Sequence, residues 1–350
     1  MKLVIGSCGP LNDCKFDVKR YNVLFGYKGK SLIAKNLWFF LNIDDMYVAS
    51  KAKNLSVKGF SEFLASCYLK YLGNLIHRVP LLLEFHYNNE DYIVVESSIE
   101  HVINITLSDS LIDKYIADSA DVNLVSWKQV YVPSERDLVY YSFSSTINDL
   151  FISDYIDYYH KIVMSDFAKG IVYDSPVNEL ISKIFELSYR ITDQQEYLDS
   201  IPVSELSTST KKSLALVNTI IHQLNYCKQS SFLAIEELES NQYPLIQMYL
   251  TYLTFLFTNR SNNVLVLTNS PYVLGTISVA LDSFELKSNT KLTDYVADYI
   301  PLDSSEVSAY YITSDGTFEQ GLVDGLIANE LMDDASDVIN NLSDKLFDLK

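Results

Sequence analysis

Apolar and polar positions change period several times along the chain, and each change marks an element. Lys2 to Ser7 reads as a strand, Gly9-Pro10-Leu11-Asn12-Asp13 as a turn, and Lys15 to Phe25 as a second strand of mixed alternation. After Gly26-Tyr27-Lys28-Gly29-Lys30-Ser31, the residues Ile33, Ala34, Leu37, Trp38 and Phe40 recur at helical spacing, so a glycine loop opens a helix. Residues 52 to 79 read as a half-buried helix. Leu81 to Tyr87 and Tyr92 to Glu96, on either side of Asn88-Asn89-Glu90-Asp91, predict a hairpin. β-Branched residues continue to about 120, as an antiparallel subdomain requires, and Val130-Tyr131-Val132 returns to a buried strand.

From about 139 to 200 the pattern turns helical and aromatic, with Phe151, Tyr155, Tyr158 and Tyr159 close together, and a Ser- and Thr-rich break follows at Ser204 to Ser213. Helix (Leu214 to Tyr226), strand (Phe232 to Glu236), helix (Leu245 to Phe257), strand (Val264 to Leu267) and helix (Tyr272 to Ala280) then alternate, which argues a parallel sheet with covering helices. A strand at Ala309 to Ile312 precedes a tail helix whose Val338, Ile339, Leu342 and Leu346 share a face. The expected fold is therefore α/β: a mixed core sheet, an antiparallel β subdomain and an inserted helical lid. The expected division is 1–138 for the first part of the core with the β subdomain, 139–203 for the lid, and 204–350 for the rest of the core.

Two of these element ends carry chemistry. Gly29-Lys30-Ser31, after a strand and before a helix, is the centre of a Walker A phosphate loop: backbone N–H groups attract phosphate, Lys30 reaches the terminal phosphates, and Ser31 ligates Mg²⁺. A full loop of that type places its first glycine at Leu24, whereas the nearest candidate is Gly26, so the loop is two residues short. An ordinary glycine turn with a solvated lysine has the same residues. Ser231 to Glu237 is an apolar strand ending in two carboxylates, which is Walker B grammar, with Glu236 at the metal and Glu237 placed to orient or deprotonate a water. Solvated acids at a strand end are the plainer alternative.

Several further stretches make the pattern specific. Val23-Leu24-Phe25-Gly26, Lys30 to Leu37, Tyr131-Val132-Pro133-Ser134-Glu135-Arg136, Ile235 to Pro244, Leu267 to Leu274 and Gly321 to Ile327 occur in this order. In this the chain resembles ABC-type AAA-family ATPases related to the OLD family and to RecF/SMC-like heads, many of them found in prokaryotic defence or DNA-repair settings. The resemblance implies a P-loop ABC-type head that binds ATP and Mg²⁺ and forms a homodimer around two nucleotides. Gly26, Gly29, Lys30 and Ser31 would hold phosphate, with Ser31 and Glu236 at the metal and Glu237 as base. Asn269 stands where the family has its switch histidine and would sense the γ-phosphate, though it cannot carry a proton. Leu206 to Lys212 stands where the family has its glycine-bearing signature, so Ser207 and Ser209 would grip nucleotide across the dimer without that glycine. These departures leave a second expectation open: a pseudo-ATPase scaffold that keeps the fold without hydrolysis.

Composition narrows the partners. The chain of 350 residues is 48% hydrophobic, enough for a large core, yet it has no apolar run of bilayer length. The opening Met1 to Gly6 is shorter than a signal-peptide core, so a cytoplasmic protein is expected. Cys8, Cys14, Cys67 and Cys227, like the five histidines, fall at no ligand-like spacing, which argues for reduced thiols and against zinc. A net charge of −18 disfavours nucleic acid as a direct partner. Asp154 and Asp157 among the tyrosines at 155 to 159 likewise favour core packing over base stacking, and Arg136 is expected to pair with Glu135 in preference to reaching a phosphate. A nuclease or other effector on a separate chain follows from family analogy alone.

Overall fold

A computed structural model describes residues 1–76, 80–97, 102–117, 124–125, 127–141, 149–164, 175–186, 189–192, 195–227, 229–286, 297 and 300–328. The chain runs β1 (Lys2–Cys8), β2 (Leu11–Asp17), β3 (Tyr21–Gly26), α1 (Lys30–Leu41), α2 (Ile43–Ala52), α3 (Val57–Ile76), β4 (Leu82–His86), β5 (Tyr92–Ser97), β6 (Ile103–Leu107), α4 (Asp109–Ile116) and β7 (Lys128–Val132). It continues through α5 (Leu150–Tyr158), α6 (Ser175–Phe185), β8 (Tyr189–Thr192), β9 (Gln195–Leu198), β10 (Ile201–Pro202), α7 (Thr208–Tyr226), β11 (Ser231–Glu236), α8 (Pro244–Asn259), β12 (Asn263–Leu267), α9 (Pro271–Glu285), β13 (Val307–Ile312), β14 (Phe318–Gln320) and the small hairpin β15 (Leu322–Val323) and β16 (Leu326–Ile327).

The core sheet has the order β14-β13-β3-β12-β11-β7; every neighbouring pair is parallel except β13–β14. Its central strands are apolar without alternation because both faces are covered. Val23, Phe25, Leu233, Ile235, Val264 and Val266 pack on one side with α7, α8 and α9. On the other side Leu24, Phe232, Ala234 and Leu265 pack with α1 and the antiparallel sheet β2-β1-β4-β5-β6. The register pairs Leu24 with Leu267, Leu267 with Glu236, and Gly26 with Ile312, so the carboxyl ends of four strands lie side by side. Clefts at such ends are where open α/β sheets bind ligands.

The mixed α/β core expected from the sequence is present, with four corrections to its detail. Lys15 to Phe25 is not one strand: β2 lies in the antiparallel sheet and β3 in the core sheet. Buried Asn22 makes that turn, since its side chain bonds both the N–H and the carbonyl of Lys19 and also receives the Ser308 hydroxyl. Ser204 to Ser213 is a break only as far as Ser207: that residue caps α7, its Oγ accepting from the Thr210 N–H, and Thr208 to Ser213 form the first turns of the helix. The segment 139–203 is not wholly helical, because β8, β9 and β10 form an antiparallel sheet within it. The core packing expected of the tyrosines holds for Tyr155 and Tyr159, which are buried, with the Tyr155 hydroxyl bonded to Thr219. Arg136, the fourth correction, is taken up with the site. The tail helix around Val338 to Leu346 lies outside the described residues.

Among the described residues no helix is long and apolar enough to cross a membrane. No disulfide joins Cys8, Cys14, Cys67 and Cys227, all of them among the described residues, and burial pushes the Cys8 thiol up to about 12, which makes it a poor nucleophile.

One buried carboxylate holds the antiparallel sheet to α4. Asp91 accepts from Asn88, Ser110 and Lys114 at the β4–β5 turn. Burial works to raise its pKa, but these donors, Lys114 foremost, outweigh it and hold the carboxyl below the usual aspartate value. Its contribution is therefore complete above the unfolded value of about 4 and disappears as pH falls through the lower folded one. Asp91→Asn is expected to destabilise the protein by about 1–3 kcal/mol at pH 7, by weakening the hydrogen bonds to a buried carboxylate whose cationic partner, Lys114, is itself exposed. Urea denaturation at pH 7 and pH 3 should show that deficit shrinking in acid.

Candidate functional site

The glycine loop is short in space as well as in sequence: Tyr27, Lys28 and Gly29 alone join β3 to α1. Gly26 and Gly29 both have φ in the left-handed region, at 96° and 121°. A Cβ on Gly26 would lie 2.5 Å from the Ile312 carbonyl, and one on Gly29 would lie 2.6 Å from Leu11, so neither position admits a side chain without displacement. The Tyr27 N–H is already spent on the Ile312 carbonyl at 2.9 Å. No side chain caps α1 at Gly29, which leaves the first N–H groups of the helix open to an anion.

Lys30, Ser31, Glu236, Glu237 and Asn269 line one cleft of about 300 Å³ together with Tyr27, Lys28, Gly29, Glu239 and Thr268. Gly26 does not line it and meets the site only through its carbonyl, which accepts from Lys30. Lys30 Nζ donates to the carbonyls of Gly26 (2.6 Å) and Tyr27 (3.0 Å) and to Asn269 Oδ1 (2.9 Å). Burial lowers the Lys30 pKa, with Glu239 and then Glu237 acting against it. Glu239 Oε1 and Oε2 accept from the Asn269 N–H (2.7 Å) and the Thr268 hydroxyl (2.8 Å). A line of polar contacts thus runs from Glu239 through Asn269 and Lys30 into the glycine loop.

Glu236 ends β11 on the face that packs against α1, with Tyr131 of β7 on the same side. Its Oε1 is buried without a well-formed hydrogen bond, as is the Tyr131 hydroxyl, although the two groups are close enough for the carboxylate to act on the phenol directly. Burial first, and then the charge of Glu236, push that phenol well above its usual range. A buried carboxylate oxygen with no donor costs about 1–3 kcal/mol, which a hard cation would offset. With the exposed Ser31 hydroxyl in the same cleft, the residues fit a magnesium ion.

Glu237 is solvent-exposed with φ 45°, and its N–H is anchored to the Leu267 carbonyl at 2.9 Å. The carbonyls at this turn meet Arg136, which does not form the expected pair with Glu135. Glu135 accepts from Ser134, while Arg136 is fully buried and donates to main-chain carbonyls of Pro133, Lys212, Glu236, Glu237 and Leu238. The planar fork of a guanidinium suits several acceptors at once, which explains why the carbonyls outcompete an exposed neighbour.

No family model matches the chain, and no curated protein does. Among solved structures it is similar to the SMC head domain from Thermotoga maritima, at 12% identity over 92% of this chain and 98% of that one, with a TM-score of 0.42. It is also similar to the recombination mediator protein RecF of the RecFOR pathway, at 9% identity over 91% of this chain and 97% of that one, TM-score 0.40. A third is CbiO1 from Clostridium perfringens, part of an ABC transporter complex, at 11% identity over 97% and 90%, TM-score 0.33. At such values the chemistry has to be argued from the site's own geometry.

Ser207 and Ser209 are not brought to this cleft. They line a second one, about 610 Å³, with Asn241, Gln242, Tyr243 and Ser213. Ser209 Oγ donates to Gln242 Oε1 at 3.0 Å, and Gln242 Nε2 returns a bond to the Ser209 carbonyl at 2.8 Å. Sequence reasoning gave no role to Glu239 or Thr268. The third acid of the run Glu236-Glu237-Leu238-Glu239 was the available signal for the former; the latter lies in the stretch Leu267 to Leu274, where its neighbour Asn269 was the residue given a role.

Proposed function

We propose that the chain is an ATP-binding ABC-type ATPase head with slow or regulated hydrolysis. The observation that carries this is one cleft holding Lys30 and Ser31 at the mouth of α1, twin carboxylates at the end of β11 and Asn269 beyond β12. Lys30 would leave the Gly26 and Tyr27 carbonyls for the terminal phosphates, and the α1 N–H groups would take the phosphate oxygens between them. Ser31 and Glu236 would hold Mg²⁺, which when bound neutralises charge on the transferring phosphoryl group. Glu237 would take the proton of the water whose oxygen attacks the γ-phosphorus as the bond to ADP breaks. Asn269, with its amide N–H fixed by Glu239, would hydrogen-bond the γ-phosphate. Ser207 and Ser209, being in a separate cleft, would serve the nucleotide of a second copy in a homodimer.

A titration with ATP in the presence and absence of Mg²⁺, followed by phosphate release, tests this reading. Mg²⁺-dependent binding with measurable release supports it, whereas no binding at all ends it. A second reading, a pseudo-ATPase scaffold, is favoured by two observations: the Tyr27 N–H is consumed by Ile312, and Lys30 is bonded to its own loop. Binding without release selects this one. If the first holds, Asn269→His should raise turnover roughly tenfold by supplying a group that titrates near neutrality. A steady-state phosphate assay at pH 7 checks it.

A cytoplasmic location, a role in DNA repair or anti-phage defence, and an effector such as a nuclease on a partner chain belong to the same proposal. An SMC head solved bound to the C-winged helix domain of ScpA supplies a precedent for a protein partner. The net charge of −18 disfavours direct contact with nucleic acid.

A further inference from the structure

We infer that Arg136 is a positioning residue: its guanidinium fixes the peptide that carries Glu237 and ties that peptide to the first turns of α7. The kinetic part of this inference rests on the ATPase reading above; the structural part does not.

Arg136 follows β7 and is fully buried. Nε donates to the Lys212 carbonyl (3.1 Å), Nη1 to Glu236 (2.9 Å) and Pro133 (3.4 Å), and Nη2 to Glu237 (3.2 Å) and Leu238 (3.3 Å). An arginine has five N–H donors, and each has an acceptor here. All the acceptors are main-chain carbonyls, so the charge is spent on backbone geometry. Successive carbonyls of an extended strand point to opposite sides, and those of Glu236, Glu237 and Leu238 meet at one guanidinium only because the chain turns at Glu237, φ 45°. A non-glycine residue in that region persists where its surroundings hold it. The Leu267 carbonyl holds the Glu237 N–H, and Arg136 holds the carbonyls on either side.

The Nε bond to Lys212 adds a second consequence. Lys212 lies one turn into the helix whose start, with Ser207 and Ser209, lines the larger cleft. Lys212 also donates to Ser240, three residues after Glu237. The start of α7 and the Glu237 turn are thereby joined through Arg136, so a shift of one strains the other.

Arg136→Lys in the full chain tests this, because an ammonium on a flexible stem cannot serve the whole set of carbonyls. Amide hydrogen exchange at 237–242 should accelerate tenfold or more while exchange in the antiparallel sheet is unchanged. Mg²⁺-ATP affinity should stay within threefold and turnover should fall tenfold or more, with no further fall when Arg136→Lys is added to Glu237→Gln. Unchanged exchange at 237–242, or an equal loss of turnover in both backgrounds, overturns the inference. A wild-type protein without phosphate release ends the ATPase reading, and the exchange result then decides the positioning role alone. Should the lysine variant not fold, the wild type serves: four resolved, slowly exchanging Nη protons on Arg136 are expected, and one averaged signal overturns the inference.

Discussion

Glu237→Gln is expected to reduce phosphate release at least a hundredfold and to leave nucleotide affinity within about threefold, since general bases contribute roughly 10²–10⁴ in rate. The substitution keeps side-chain size and leaves the backbone contacts of residue 237 intact: its N–H on Leu267, its carbonyl on Arg136 and Ser240. A carboxamide cannot take up the water's proton. Glu236→Gln in parallel should instead weaken the Mg²⁺ dependence of binding, because the oxygen now lacking a donor is the one a cation would use. Single-turnover phosphate release beside calorimetric titration separates the two. Equal turnover in wild type and Glu237→Gln would remove Glu237 as base, whereas binding with no release in either protein leaves the scaffold reading.

The parts of this site that the sequence displayed are those in which side-chain type and element end coincide. Lys30 and Ser31 are legible because a helical period begins at Ile33, directly after a glycine pair; Glu236 and Glu237 are legible because an apolar run stops at them. The role of Arg136 is not legible in the sequence because its partners are carbonyls, which every residue has and which leave no trace in composition. The contact of Glu239 with Thr268 and Asn269 spans about thirty residues, and periodicity is silent at that range. The strands at 189–202 are two to four residues long, shorter than any alternating pattern can establish. The Ser- and Thr-rich first turns of α7 resemble a break in sequence for a related reason: such residues favour caps and loops alike, and only Ser207 is the cap of this helix.

Gly26→Ala is expected to cost about 2–4 kcal/mol of stability and to abolish nucleotide binding, through strain at a special φ together with a close backbone contact. At φ 96° the added Cβ meets the Ile312 carbonyl at 2.5 Å and the Tyr311 ring at 2.8 Å. The carbonyl cannot yield cheaply, because it is the acceptor of the Tyr27 N–H that closes the loop onto β13. Any retreat displaces the strand end that carries the loop, and with it the Gly26 carbonyl that receives Lys30. Gly325→Ala is the matched control: it also has positive φ, at 83°, but a Cβ there meets nothing within 4 Å. It should cost only about 1 kcal/mol, the backbone preference of glycine by itself. Urea midpoints of the two variants, read beside their ATP titrations, separate the cost of an unusual φ from the cost of crowding at the phosphate loop. Equal losses in both, with binding kept in Gly26→Ala, would show that the loop can shift without harm and that the tight approach of β3 to β13 does not shape the cleft.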